Sequence, residues 1–262
     1  LRNANAKFSR IKHIFISHLH GDHFYGLFGL ISTFQLLGRE AEMHIYGPKG
    51  IKEAVLLVLK LGGVYTPFPL YFHELSSKNS ELLYEDDKVL VRTIPLQHRV
   101  YTNGFLFQEK EGERRLNMDA IAQYPEIEVC DYQNIKNGKD IILENGKTIA
   151  NTELTFEPHR PQSYAYCSDT VYLEDLATEI RGTRVIYHES TFLKINKELA
   201  AKTMHATAYQ AGLVAKNAQA EALILGHYSS RYPDVNMFKQ EAQEVFKNVF
   251  LAEDGKKFVF EN

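Results

Sequence analysis

A chain of 262 residues is long enough for one large α/β domain or two small ones, with a sizeable core. Its net charge of −3, with both signs interspersed, excludes a global pull towards nucleic acid, so a polyanion would have to be held by a local basic patch. Two cysteines, Cys130 and Cys167, exclude a disulfide framework, no run reaches the roughly 20 apolar residues of a membrane span, and no leader pattern opens the chain. The expectation is a protein of the reducing cytoplasm with no membrane partner.

After a polar opening, Ile14-Phe15-Ile16 leads into Ser17-His18-Leu19-His20-Gly21-Asp22-His23, four metal-capable side chains within six residues. In extended chain His18, His20 and Asp22 share a face, and a turn brings His23 in from another direction. Neutral imidazole and carboxylate suit divalent zinc, and their alternation can divide between two ions. A polar loop merely rich in histidine is the blander alternative. Residues 24–37 have helical apolar spacing up to Gly38. A strand at 43–46, a helix over Ile51–Leu61 closed by Gly62-Gly63, and strands near 69–72 and 89–94 follow.

Pro95-Leu96-Gln97-His98 stands at the far end of the 89–94 strand, and 103–107 reads as a returning strand. From 109 to 157 the texture changes to charged clusters, Asn-Gly turns and short apolar runs, which predicts an inserted arm with little core of its own. It carries six basic and eleven acidic residues, net −5. The strand pattern resumes over Ser163–Cys167 and runs into Ser168-Asp169-Thr170. A helix over 173–180 and a strand over 184–187 lead to His188-Glu189-Ser190-Thr191-Phe192. His205-Ala206-Thr207 then precedes a helix over 208–218 with Thr207 as N-cap. A strand over 222–225 delivers Gly226-His227-Tyr228-Ser229-Ser230-Arg231-Tyr232, and a helix over 234–248 with two short strands completes the pattern.

Separate strand-like runs thus end in candidate ligands, at the strand termini where α/β folds present their chemistry. They divide as His18, His20 and His98 on one ion and Asp22, His23 and His227 on a second, with Asp169 shared and a position on each open to water. Two such ions acidify a water and stabilise both entering and departing oxygens of an in-line displacement, which is phosphodiester chemistry. Asp22 can orient the water or take its proton, and His205, if near Glu189, is the candidate donor to the leaving oxygen. Arg231 is a candidate phosphate clamp, although an arginine between tyrosines is often only stacked on them. His13, His44 and His73 lie inside strands and read as structural.

Over nearly its whole length the chain resembles the metallo-β-lactamase superfamily. The segment from Phe15 to Leu27 carries that likeness. Joined to the segments around His98, Asp169, Glu189, His205 and His227, it is specifically similar to the ribonuclease Z family, the endonucleases that trim the 3′ side of precursor transfer RNA. The resemblance implies an α/β fold of αβ/βα four-layer sandwich type, as a single hydrolase domain over 1–262 with an arm inserted at about 109–157. It also implies two zinc ions per chain, or manganese in their place, with the ligand division just given. Asp22 would be general base, and His205, supported by Glu189, would protonate the departing 3′ oxygen. The products would be a 3′-hydroxyl on the transfer RNA and a 5′-phosphate on the trailer.

Family members are homodimers in which the arm of one subunit reaches substrate on the other. The arm's net charge leaves RNA contact to a few placed lysines such as Lys136 and Lys139. The family's N-terminal strands are not found before Leu1, so the numbering is expected to begin about forty residues into the usual domain. The rival readings are a same-fold hydrolase of small phosphodiesters or sulfate esters, and a non-catalytic RNA-binding protein.

Overall fold

The structure, a computed structural model, describes residues 6–260. Strand β1 (His13–Phe15) leads through an irregular stretch into helix α1 (Gly21–Leu36), followed by β2 (Met43–Pro48), α2 (Ile51–Leu61) and β3 (Leu70–Leu75). The three strands form a parallel sheet in the order β1-β2-β3. Successive side chains of a strand face opposite ways, so the sequence of β2 decides what each face packs against. Met43 and Ile45 are fully buried with Phe24, Leu27, Ile31 and Phe34 of α1 and Ile51, Val55 and Leu59 of α2. Those helical positions recur every three or four residues, which gives each helix one apolar stripe to lay on the sheet. On the opposite face Phe15 stacks on Tyr46 at 4.7 Å and meets Phe105 at 5.3 Å.

Phe105 belongs to a second sheet. The chain continues as β4 (Leu82–Glu85), β5 (Val89–Pro95) and β6 (Asn103–Glu109). The insertion holds β7 (Arg115–Leu116), α3 (Met118–Ile121), α4 (Tyr132–Lys136), β8 (Ile141–Ile142), β9 (Thr148–Ile149), α5 (Asn151–Leu154) and β10 (Thr155–Phe156). Then come β11 (Ser163–Cys167), α6 (Leu176–Glu179), β12 (Val185–Glu189), α7 (Lys197–Thr203), α8 (Ala208–Asn217), β13 (Ala222–Gly226), α9 (Asn236–Gln243) and β14 (Val249–Leu251). The sheet runs β14-β13-β12-β11-β6-β5-β4, with β11 to β14 parallel and β4 antiparallel to β5. Ala165, Ile186, Leu223 and Leu225 pack beneath Ala211, Val214 and Ala215 of α8 and Phe238 and Ala242 of α9. Gly212 lets these two helices close: a Cβ there would stand 2.9 Å from the carbonyl oxygen of Ala242. The result is helices, sheet, sheet, helices, the αβ/βα sandwich that the sequence predicts.

Several boundaries differ from expectation. β1 stops at Phe15, and Gly21, Asp22 and His23 form the first turn of α1 instead of extended chain through Asp22 followed by a turn. Burying Phe24 and Leu27 together requires the helix to have begun by then, and a carboxylate such as Asp22 is favoured at a helix N-terminus. The helix expected over 173–180 shrinks to Leu176–Glu179 and the last helix to Asn236–Gln243. Among the described residues one closing strand, β14, follows it rather than two.

The chain divides into two compact units: residues 6–85, 90–107 and 163–259, and residues 86–89, 108–162 and 260. The second contradicts the expectation of an arm with little core. Ile121, Ile127, Ile135, Leu143, Ile149 and Leu154 form an apolar cluster of their own. Buried Asn151 braces it, its Nδ2 donating to the carbonyls of Ile135 at 2.6 Å and Lys139 at 3.0 Å. Among the described residues no helix is long and apolar enough to cross a membrane.

Candidate functional site

Parallel strands end on one edge of their sheet, so residues placed just beyond those ends converge. His98 follows β5, Asp169 follows β11, Glu189 closes β12 and His227 follows β13, while His18 and His20 lie between β1 and α1. Asp169 is the hub. One or other of its carboxylate oxygens lies 3.6 Å from His18 Nε2, 3.4 Å from His23 Nε2, 3.8 Å from His98 Nε2 and 3.4 Å from His227 Nε2. Asp22 Oδ2 stands 3.2 Å from His23 Nε2 and 3.7 Å from His227 Nε2. Each residue of two groups, His18, His20, His98 and Asp169, and Asp22, His23 and His227, offers a ligand atom within 4.8 Å of the others in its group. All seven sequence candidates for metal are therefore in one cluster.

The imidazole tautomers suit the same purpose. His98 Nδ1 donates to the Met204 carbonyl at 2.7 Å, and His227 Nδ1 donates to Thr191 Oγ1 at 2.7 Å, so in both rings the Nε2 lone pair faces the cluster. Burial, reinforced by the neighbouring His23, pushes His18 down to about 3, keeping it neutral. His98 is also lowered, chiefly by burial. For His23 burial acts against the charge, but the carboxylates of Asp169 and Asp22 prevail and raise it. Burial alone would raise Asp169, yet the histidines around it hold its carboxyl well below the usual range.

The residues fit a metal centre. His23 Nε2 and Asp169 Oδ1 are buried with no hydrogen-bond partner among the described residues. An unmet buried polar atom costs about 1–3 kcal/mol, and cations coordinated there would meet both needs. The donor set, neutral imidazoles with carboxylates, is the one zinc takes. His227 has φ of 60°, a left-handed backbone uncommon outside glycine, and strain of this kind concentrates at functional positions.

Glu189, fully buried, holds the neighbouring loops. Its Oε1 accepts from His205 Nδ1 at 3.0 Å and from the backbone N–H of Ala206 at 2.9 Å. Its Oε2 accepts from the backbone N–H of Thr191 at 2.8 Å and from Thr191 Oγ1 at 2.9 Å. Burial opposes a charge on His205, but the hydrogen bond to Glu189 together with the charges of Glu189 and Asp169 outweighs it and raises the imidazole's pKa. The sequence-predicted proximity of His205 and Glu189 is thus present, and the His205 ring lies 4.9 Å from that of His98.

Thr191 is a residue that sequence reasoning missed. Its hydroxyl joins His227 to Glu189, and the signal lay only in its place two residues beyond Glu189. Thr191→Val, which keeps shape and loses the hydroxyl, is expected to weaken metal binding about 10–100-fold, whereas Thr191→Ser should retain it. Metal titration of the stripped protein checks this; equal affinities in the two variants would refute it.

Arg231 is exposed with its guanidinium 5.2 Å from the centre of the Phe192 ring, and that ring lies 6.2 Å from His205. Lys136 and Lys139 lie in the second unit, Lys136 Nζ being 3.7 Å from Glu113 Oε2 and Lys139 Nζ donating to Asn134 Oδ1 at 3.1 Å. His13, His44 and His73 stand apart from the cluster on the three-stranded sheet. His13 stacks on His44 at 5.0 Å, and His44 Nδ1 is 3.0 Å from His73 Nε2.

A family model for the metallo-beta-lactamase superfamily matches residues 3–98. Ribonuclease Z of Bacteroides fragilis is 43% identical over 255 residues, covering 97% of this chain and 84% of the relative. Ribonuclease Z of Cytophaga hutchinsonii is 43% identical over 239 residues, covering 91% and 76% respectively. Among solved structures, the short form of human tRNase Z superposes with a TM-score of 0.67 over 98% of this chain and 82% of its own, at 24% identity, a likeness of fold. At 43% identity to a ribonuclease Z over nearly its full length, the chain belongs to the ribonuclease Z family of the metallo-β-lactamase superfamily.

Proposed function

We propose that this protein is a metal-dependent endoribonuclease that cuts the 3′ trailer from precursor transfer RNA, leaving a 3′-hydroxyl on the body and a 5′-phosphate on the trailer. Relatives named ribonuclease Z support the substrate. The observation that carries the chemistry is the Glu189–His205 pair at 3.0 Å beside the ligand cluster. A departing ribose 3′ oxygen is a poor leaving group and needs a proton, which an imidazole of raised pKa keeps to higher pH than a free one.

In this reading His18, His20 and His98 would hold one ion and Asp22, His23 and His227 the other, with Asp169 available to either; zinc suits the donors, and manganese could replace it. Bound there, two such ions acidify a water and neutralise phosphoryl charge. Asp22, whose side chain is 68% exposed, is placed to accept a proton from an attacking water. By accepting from Nδ1–H, Glu189 stabilises the imidazolium of His205 and leaves the Nε2 proton as the one to be given to the leaving oxygen. Arg231 is the proposed clamp on a flanking phosphate, and Lys136 and Lys139 are the proposed RNA contacts of the insertion.

His205→Ala tests the donor role. The loss should be about 100-fold or more on RNA and small on a diester with an acidic phenol leaving group. Because the folded-state pKa of His205 is raised, the wild-type rate on RNA should fall as pH rises through that raised value, and the variant should lack this limb. Equal losses on both substrates would remove His205 as the acid.

The protein is further proposed to act as a cytoplasmic homodimer. Its two thiols are free, as a reducing compartment keeps them. Leu57 and Leu61 of α2 are 53% and 78% exposed, and Leu36 of α1 is 85% exposed, apolar surface that a second copy would cover. Sedimentation should give twice the chain mass, falling to one with Leu57→Glu and Leu61→Glu together. A monomeric wild type would contradict the assembly.

A further inference from the structure

Beside His98, within the larger unit, a cavity of about 520 Å³ is lined by the loop from Pro95 to Asn103 together with Ser77 and Lys78. No carboxylate lines it, and two cations, Lys78 and Arg99, do. In a chain of net charge −3 that is a local concentration of positive charge. Arg99 is anchored by its Nε, which donates to the Thr203 carbonyl at 3.3 Å, so the rest of its guanidinium fork is available for a ligand. Neither cation has an ion-pair partner among the described residues.

The cavity floor is preorganised. Tyr101 donates its hydroxyl to the Ser77 carbonyl at 2.8 Å and accepts from Asn103 Nδ2 at 2.8 Å. The backbone N–H of Asn103 donates to the Ser17 carbonyl at 3.1 Å, which ties this floor to the residue next to His18. A ligand here would not have to order the loop itself, and the volume lies in the range of small-ligand sites, the size of one nucleotide.

We propose that this cavity holds the ribonucleotide on the leaving side of the scissile bond, with Arg99 and Lys78 binding its 5′-phosphate. The side is set by His205: Arg99 is bonded to Thr203, two residues before it, and the His205 and His98 rings are 4.9 Å apart. The cation and the proton donor therefore flank the same nucleotide, and the assignment rests on the endonuclease reading given above. Each charge-assisted phosphate contact is worth about 1.5–3 kcal/mol, so losing one should cost about tenfold or more in binding.

The test uses the full-length, metal-loaded protein and the double variant Lys78→Gln/Arg99→Gln. KM for 3′-extended precursor transfer RNA should rise about tenfold or more with a smaller change in kcat, and the salt dependence of binding should flatten by about 0.7 in log–log slope for the one phosphate no longer neutralised. The charge-keeping variant Lys78→Arg/Arg99→Lys should recover most of both. Adenosine 5′-monophosphate should inhibit hydrolysis of bis(p-nitrophenyl) phosphate by the wild type, adenosine should not, and the Gln variant should be about tenfold less sensitive. Equal inhibition of wild type and variant would put the phosphate at the metal cluster alone and overturn the proposal, as would an unchanged KM and slope on RNA. A wild type that cannot cut precursor transfer RNA would defeat the endonuclease reading, while the nucleotide inhibition still decides whether the cavity binds.

Discussion

Asp169→Ala is expected to strip metal from the protein and to abolish turnover on every substrate. Four histidines approach this one carboxylate within 3.4–3.8 Å, and its side chain is 4% exposed, so no water can replace it without rearranging the cluster. Removal deletes the carboxylate proposed to serve both ions and leaves the four imidazoles without the group on which they converge. The loss should therefore exceed the roughly 10–100-fold that deleting a supporting hydrogen bond costs. Metal content by mass spectrometry should fall from two ions per chain to near none, with circular dichroism reporting whether the fold persists. A variant that keeps its metal and its rate would break the shared-carboxylate scheme.

Excision of residues 114–155, closed by a short flexible linker, is expected to separate two activities. The insertion buries its own cluster around Ile135, Ile149 and Leu154, so excision takes that cluster out whole. Hydrolysis of a small chromogenic diester should persist. Cleavage of precursor transfer RNA should fall at least about 100-fold, the cost of losing two or more charge-assisted phosphate contacts such as those proposed for Lys136 and Lys139. Comparable losses on both substrates would make the insertion part of the catalytic fold instead.

The strand termini were the most legible part of this sequence. His18, His20, His98, Asp169 and His227 stood two to four residues beyond apolar runs, and such runs end where α/β sheets gather their chemistry. Asp22 and His23 were assigned the right neighbourhood and the wrong backbone, because alternation within six residues cannot distinguish extended chain from a helix whose apolar stripe begins at Phe24. The core of the insertion was illegible for a related reason. Ile121, Ile127, Ile135, Leu143, Ile149 and Leu154 occur singly, several of them in elements of two to five residues, and so have no period to read. Thr191 and Arg99 could not be found from spacing, since their partners His227 and Thr203 lie 36 and 104 residues away in the chain.

The central claim is that the cluster and the Glu189–His205 pair cleave RNA at the 3′ side of a transfer RNA. The most direct measurement is incubation of the metal-loaded protein with a 3′-extended precursor transfer RNA, followed by mapping of both new ends. One endonucleolytic cut is expected that leaves a 3′-hydroxyl on the body and a 5′-phosphate on the trailer, and that disappears on chelation. An intact precursor under conditions where small diesters are hydrolysed, or a cut that leaves a 3′-phosphate, would contradict it.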